Sequence, residues 1–120
     1  MKFYPFILLF VLSATANAAS FDCNKARTFV EKEICKTPVL SQLDDALGKN
    51  YKNILNSKLS DVQAENTSID AGLWLSERNK CKDKACLEKM YRARIDELCE
   101  NAKTMQVKLK QACVLSSEIK

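Results

Sequence analysis

The stretch from Trp74 to Leu98 reads WLSERNKCKDKACLEKMYRARIDEL, and it predicts two helices joined by a corner. After the corner, apolar and long side chains recur at steps of three and four, which predicts one buried helix face. These residues are Leu87, Met90, Tyr91, Arg94, Ile95 and Leu98. Cys81 and Cys86 lie at the corner, where a bond between them would tie the two helix ends together. We expect Trp74 to be mostly buried against Tyr91.

The first residues have the composition of a secretory signal. A short positive start, Met1-Lys2, precedes an apolar run at 3–12, and the small residues that follow end in Ala16-Asn17-Ala18, an Ala-x-Ala cleavage site. The apolar run is too short to span a bilayer, which takes about 20 residues. We therefore expect a signal peptide at 1–18 and one exported domain at 19–120, without a transmembrane segment and in a periplasmic or secreted location.

All six cysteines lie beyond the predicted signal, and the chain has no histidine. An even number of cysteines in a short exported chain is typical of a disulfide framework. A zinc site would need histidines or Cys-x-x-Cys pairs, which are missing, so neither a metal nor a cofactor is expected. Many connectivities are possible for six cysteines, but local spacing favours sequential bonds. The predicted pairs are Cys23–Cys35, Cys81–Cys86 and Cys99–Cys113.

Helical periodicity runs through the exported chain, which predicts an all-α fold, a small disulfide-stapled bundle of four to five helices. Thr28 and Glu31 have the spacing of a capping box ahead of a short helix that ends at Cys35. Thr37 followed by Pro38 is a start signal, with a capping threonine and a proline at the first helical position. It predicts a second helix of about 18 residues.

The second half of the chain is less regular. The third helical segment contains weak helix formers and Gly72, so we expect it to be frayed or bent and regular only near its end. The fourth helix is expected at about 83–100. On one unbroken helix Cys99 and Cys113 would stand about 21 Å apart, beyond disulfide reach. If they pair, the chain must reverse between 101 and 104.

Charge and residue types exclude several classes of function. The chain carries 19 Lys+Arg and 15 Asp+Glu, and its net charge of +4 is too mild to indicate nucleic acid. Without histidine there is no Ser-His or Cys-His pair, so we do not expect an enzyme or any catalytic residue. The acidic pairs Asp44-Asp45 and Asp96-Glu97 are interpreted as solvated helix surface. Positive charge is concentrated at 78–94 and in a tail from about 103.

Two groups of motifs occur in order along the chain. The first comprises Phe21-Asp22-Cys23, Glu31-x-x-x-Cys35, Pro38, Leu43-Asp44 and Tyr51, and the second comprises Trp74-x-x-x-Arg78-x-x-Cys81, Cys86-Leu87, Tyr91 and Arg94-Ile95. Together they resemble the LprI-type lysozyme-inhibitor-like family as far as about Leu98, whereas Cys99, Cys113 and the lysine-rich tail lie outside the pattern. The resemblance implies a small helical domain of the bacterial envelope, in a family named for inhibition of lysozyme.

The corner at 80–86 is the candidate for partner binding. A bond at its base would hold the corner rigid and so reduce the ordering cost of binding. Its lysines could enter a cleft lined with carboxylates, such as that of a glycosidase. Together with the resemblance to the LprI-type family, these lysines lead us to expect that the protein inhibits a protein partner, lysozyme or another cell-wall hydrolase. The alternatives are an anionic envelope polymer or membrane surface bound through 78–94, and a lysine-coated turn that is simply solvated. The candidate residues are Lys80, Lys82, Lys84 and Arg78, although Arg78 could instead pair with a nearby carboxylate.

Overall fold

The structure is a computed structural model that describes residues 19–120. Within this range it contains four α-helices and no strand, so the predicted all-α, disulfide-stapled fold is confirmed. The predicted signal peptide at 1–18 lies outside the described residues. None of the helices within 19–120 combines the length and the apolar character needed to cross a membrane. The helices are α1 (Phe29–Lys36), α2 (Pro38–Leu55), α3 (Asp61–Arg78) and α4 (Lys84–Thr104), with short 3-10 turns at Cys23–Lys25 and Ser116–Glu118.

The core lies between α2 and α4, and α1 packs against α2 and adds Val30 and Ile34 to the same core. The apolar face predicted for α4 is buried, with Leu87, Tyr91 and Ile95 each 0% exposed. Each fully buried aliphatic side chain of this kind contributes about 1.5–3 kcal/mol. The other core side chains from the helices are Leu40, Leu43, Ala46, Leu47, Ile54, Leu98 and Ala102.

The first two helices begin where their start signals predicted. Thr28 and Glu31 form the predicted capping box of α1, and α2 has Pro38 in its first turn. Thr37, however, makes no side-chain cap for α2. Its hydroxyl instead donates to the Glu33 carboxylate at the end of α1, at 3.4 Å. The proline and the packing of α2 are therefore sufficient to start that helix without a side-chain cap.

The third helix is continuous from Asp61 to Arg78, so the prediction of a frayed or bent segment was wrong. Ser60 and Gln63 form a capping box that satisfies the first turn. The hydroxyl of Thr67 donates to the carbonyl of Gln63 (2.7 Å), which keeps a polar side chain paired within the helix. Despite its regularity, α3 packs loosely, because Arg78 is its one buried residue.

The fourth helix runs to Thr104 rather than to about 100, so the predicted reversal between 101 and 104 was placed too early. The helix ends in a Schellman motif, in which the Val107 N–H donates to the carbonyl of Ala102 (3.1 Å). Gln106 adopts a left-handed φ of 56° there, the one positive φ among the described non-glycine residues. The chain reverses at this residue and runs back along the helices.

Three disulfides are present, and their pairing is the sequential one that local spacing favoured. Cys23–Cys35 ties the N-terminal lead to α1, and Cys81–Cys86 closes the corner between α3 and α4. Cys99–Cys113 anchors the reversed tail to α4. A native disulfide typically stabilises a small domain by about 2–4 kcal/mol, so the bonds supplement a modest core.

The side-chain amides of two asparagines in α2 each form two hydrogen bonds with the backbone of the tail. The Asn50 amide donates to the Val114 carbonyl (2.9 Å) and accepts from the Val114 N–H (3.0 Å). One turn later, Asn53 pairs with Gln111 in the same way, at 2.9 and 3.4 Å. The lysine-rich segment is therefore docked on α2.

Candidate functional site

The corner presents its lysines to solvent. Lys80, Lys82 and Lys84 are all exposed, and the bond between Cys81 and Cys86 closes the loop with a Cα–Cα distance of 5.6 Å. Lys80 forms an ion pair with Glu77 in the last turn of α3, at 2.8 Å, between two largely exposed side chains. None of the ion pairs within 19–120 includes Lys82 or Lys84. Two ammonium groups of the corner are therefore available to a partner.

The corner is fixed from both ends. The Asp83 side chain caps α4 by accepting from the Cys86 N–H at 2.8 Å. The Cys81 N–H donates to the carbonyl of Arg78 at 3.0 Å, which continues the turn at the end of α3. A disulfide, a helix cap and a backbone turn therefore define this loop before any partner arrives, which limits the conformational entropy lost on binding.

Arg78 lies apart from the three lysines. It is 7% exposed, and its guanidinium donates to the Tyr91 hydroxyl at 3.1 Å and to the Asn79 side chain at 2.9 and 3.2 Å. Its nearest carboxylate is that of Asp44, at 3.9 Å. Arg78 is thus part of an interior polar network, and the structure does not bring it to the surface beside the lysines.

Asp44 is the centre of that network, so its interpretation as solvated surface was wrong. It is 4% exposed and accepts hydrogen bonds from the Ser20 N–H and hydroxyl, both at 2.6 Å, and from the Tyr91 hydroxyl at 2.7 Å. Its neighbour Asp45 does face outward and pairs with Lys49 at 2.9 Å. A buried carboxylate needs such donors, because an unpaired charge in the interior is strongly destabilising.

Burial also changes the ionisation of Tyr91. Burial, together with the adjacent Asp44 carboxylate, raises the pKa of the Tyr91 phenol far above its ordinary value, while Arg78 opposes the shift. The phenol therefore stays protonated at physiological pH and keeps donating to Asp44. Its role is to link α4 to α2 through a stable hydrogen bond.

The glycine in α2 has a structural reason. A Cβ added to Gly48 would lie 3.3 Å from the Cβ of Ser20, closer than an ordinary van der Waals contact. The N-terminal lead can thus approach α2 closely enough for Ser20 to bond to Asp44. Glycine inside a helix is less favourable than alanine by about 1 kcal/mol, and the close approach compensates for it here.

A second arginine network supports the other end of the α2–α4 contact. Arg94 donates to the Tyr51 hydroxyl at 2.7 and 3.0 Å and to Glu97 at 3.0 Å. Burial raises the pKa of Tyr51, although the hydrogen bond from Arg94 opposes the shift. Burial alone would lower the pKa of Arg94, but hydrogen bonds to Tyr51 and Glu97 outweigh it and raise the pKa.

Asp96 also has a structural partner. Although it is exposed, its carboxylate accepts from the Ser116 N–H at 2.9 Å and from the Ser116 hydroxyl at 2.7 Å. Arg92 donates to the carbonyls of Ser116 and Ile119, at 2.8 and 3.0 Å. The outer side of α4 therefore holds the end of the tail, so the interpretation of Asp96 as merely solvated was incomplete.

A cleft of about 360 Å³ lies between α2, α3 and the N-terminal lead. Trp74 forms part of its wall, and the Trp74 ring meets the Tyr91 ring edge-on with centroids 5.0 Å apart. The contact with Tyr91 agrees with expectation, but Trp74 is only partly buried, because the cleft leaves one side open. Asp44 and Arg78 also line the cleft, and no buried side-chain N or O within 19–120 lacks a hydrogen-bond partner.

These features define a small, disulfide-stapled all-α protein with a rigid basic corner and a satisfied interior polar network. Within residues 19–120, no group of three or more His, Cys, Asp or Glu side chains is arranged to hold a metal ion. No protein-family model, curated protein or solved structure matches the chain.

Proposed function

We propose that the protein is an exported binding protein that inhibits lysozyme or a related cell-wall hydrolase through the corner at 80–86. The observation that carries the proposal is the exposure of Lys80, Lys82 and Lys84 on a loop closed by a disulfide. The resemblance to the LprI-type family points in the same direction. The three disulfides and the predicted signal at 1–18 are compatible with export to an oxidising compartment.

The geometry of the corner fits a loop that inserts into a cleft and blocks it better than it fits a catalytic site. The centre of a glycosidase cleft contains a pair of carboxyl groups, which an ammonium group can approach favourably. Because Asp83 and the disulfide fix the backbone of the loop, binding has to order only the lysine side chains. Lys82 and Lys84 enter such a cleft without first breaking an ion pair, whereas Lys80 exchanges its exposed contact with Glu77.

A charge-reversal experiment tests the proposal. The triple variant Lys80→Glu, Lys82→Glu, Lys84→Glu keeps the disulfide and is expected to abolish inhibition, because an anionic loop would meet carboxylates of like charge. The matched control reverses Lys103, Lys108 and Lys110, which are also exposed and change the net charge equally. Cell-wall lysis by a panel of hydrolases measures inhibition at low and physiological salt, and circular dichroism checks that helicity is unchanged.

Each outcome is informative. Inhibition by the wild type and the tail variant, but not by the corner variant, supports the proposal. If the wild type slows no hydrolase in the panel, the inhibitor function fails. If wild type and corner variant inhibit equally, the activity exists but another surface produces it.

Binding of an anionic polymer or membrane surface through 78–94 is the alternative, and the distribution of charge makes it weaker. Arg78 and Arg94 are buried, and Arg92 bonds to Glu88 and to the tail, so lysines provide the free positive charge of this segment. Such binding depends on exposed charges alone and should collapse as ionic strength rises. Binding of the corner inside a cleft should weaken less as ionic strength rises, so the salt dependence of binding separates the two functions.

A further inference from the structure

The outer face of α3 presents an apolar stripe to solvent. Val62, Ile69 and Leu73 are 66%, 53% and 63% exposed. At 3.6 residues per turn these positions fall within about 40° of one another around the helix axis, along about 16 Å of its length. Single exposed apolar residues are common on protein surfaces, but an aligned row on one helix face is typical of a docking surface.

The stripe falls on the a and d positions of a heptad frame, in which polar Asn66 and Ser76 take two further a and d positions. The steps from Val62 through Asn66, Ile69 and Leu73 to Ser76 are four, three, four and three, which is the alternation of d and a positions in a coiled coil. Asn66 then occupies an a position, where a polar residue commonly sets the register of two helices. The stripe is therefore patterned for contact with another helix, although within 19–120 no element covers it.

The positions that flank the stripe are acidic. Glu65 falls at a g position, and Asp70 and Glu77 fall at e positions, the places that choose the partner in helix pairing. All three are exposed, and only Glu77 has an ion pair within the described part of the chain, with Lys80. The one basic residue of α3, Arg78, is buried. The outer face of α3 therefore combines apolar contact area with negative charge on both sides.

We propose that the outer face of α3 docks a basic amphipathic helix of a protein partner, with apolar residues on its seam and Lys or Arg beside them. A second copy of this chain fits poorly, because two such faces would bring like-charged flanks together. An anionic membrane would be repelled for the same reason. The surface lies next to the corner but has the opposite charge, so this inference goes beyond the proposed inhibition and does not depend on it.

Two designed peptides provide the test. Both carry three heptads with Leu and Ile at the seam. One has Lys at every e and g position, and the other has Glu. Fluorescence anisotropy of the labelled peptides measures binding to the oxidised exported protein. We expect binding of the Lys peptide, weakening as salt rises, and at least tenfold weaker binding of the Glu peptide.

Variants of α3 separate docking from unspecific charge attraction. The double variant Ile69→Gln/Leu73→Gln keeps the net charge and the helix propensity of α3. It should weaken binding of the Lys peptide by at least about tenfold. The double variant Glu65→Gln/Asp70→Asn should weaken binding of the Lys peptide and reduce the salt dependence of that binding. The control Leu115→Gln changes an exposed apolar residue away from α3 and should leave binding unchanged.

Four results would overturn the inference. In the first, the Lys peptide does not bind the wild type. In the second, it binds the Ile69→Gln/Leu73→Gln variant as tightly as it binds the wild type. Alternatively, sedimentation shows a dimer that these two substitutions dissociate, in which case a second copy covers the face. Binding to neutral phosphatidylcholine vesicles that the same substitutions abolish would instead identify a lipid surface.

Discussion

Asn50 and Val114 exchange two hydrogen bonds, so a side-chain amide of α2 pairs with the backbone of the tail as a neighbouring strand would. Asn50 is 1% exposed and reaches Val114 across 64 positions in the sequence. This pairing, with the Cys99–Cys113 bond, converts a lysine-rich segment without regular structure into a fixed part of the fold. The stability of the tail should therefore depend on this one side chain.

Asn50→Ala should lower the free energy of unfolding by about 2–4 kcal/mol, because it leaves the N–H and carbonyl of Val114 without partners in a partly buried place. Asn53→Ala is the matched control. Asn53 makes the same kind of pair with Gln111 but at a more exposed position. Asn53→Ala should therefore lower the free energy of unfolding by about 1 kcal/mol or less. Urea unfolding followed by circular dichroism measures both. Equal losses would show that the buried pair has no special role.

Asp44 and Asp45 offer a second matched comparison. Asp44→Asn removes a charge that accepts hydrogen bonds from Ser20 and Tyr91, and should destabilise the protein by about 1.5–3 kcal/mol. Asp45→Asn removes only the surface ion pair with Lys49 and should change stability by about 0.5 kcal/mol or less. Thermal unfolding at neutral pH compares the two variants. The assignment of Asp44 as the centre of the network fails if they unfold alike.

Local signals predicted much of the fold. Capping residues placed the start of α1, a proline marked that of α2, and short cysteine separations gave the disulfide pairing. Residues of low helix propensity led to the wrong prediction that α3 is frayed or bent. Helix propensity is a small effect, which the Ser60–Gln63 capping box and internal hydrogen bonds outweigh. The end of α4 was missed, since a Schellman motif with Gln106 lacks the usual glycine.

The interior network was missed, although one signal could have found it. Asp44 follows Leu40 by four residues and precedes Leu47 by three, so helical spacing already places it on the buried face of α2. Its donors could not be inferred in that way. Ser20 is 24 positions away from Asp44 and Tyr91 is 47 positions away, and only the packed structure brings them together. The separation of Arg78 from the corner lysines follows from the same long-range contacts.

Alkaline pH should destabilise the protein through its buried tyrosines. The pKa of both Tyr51 and Tyr91 is raised by burial in the folded state. Above the ordinary tyrosine pKa of about 10, the unfolded chain releases these protons while the folded chain retains them. The unfolded state then binds fewer protons, so the free energy of unfolding falls as pH rises above about 10, by up to about 1.4 kcal/mol per pH unit for each tyrosine.

Titration of tyrosinate absorbance measures this effect directly. Of the three tyrosines, Tyr4 lies in the predicted signal, so protein prepared as residues 19–120 contains only Tyr51 and Tyr91. Because the described cysteines are all disulfide-bonded, no thiol titrates in the same range. We expect native protein to ionise at clearly higher pH than protein in urea. Tyr91→Phe should lower stability at neutral pH, since the bonds to Asp44 and Arg78 are lost, yet it should flatten the alkaline slope. Coincident native and urea titrations would show that neither phenol is held in its protonated form by the fold.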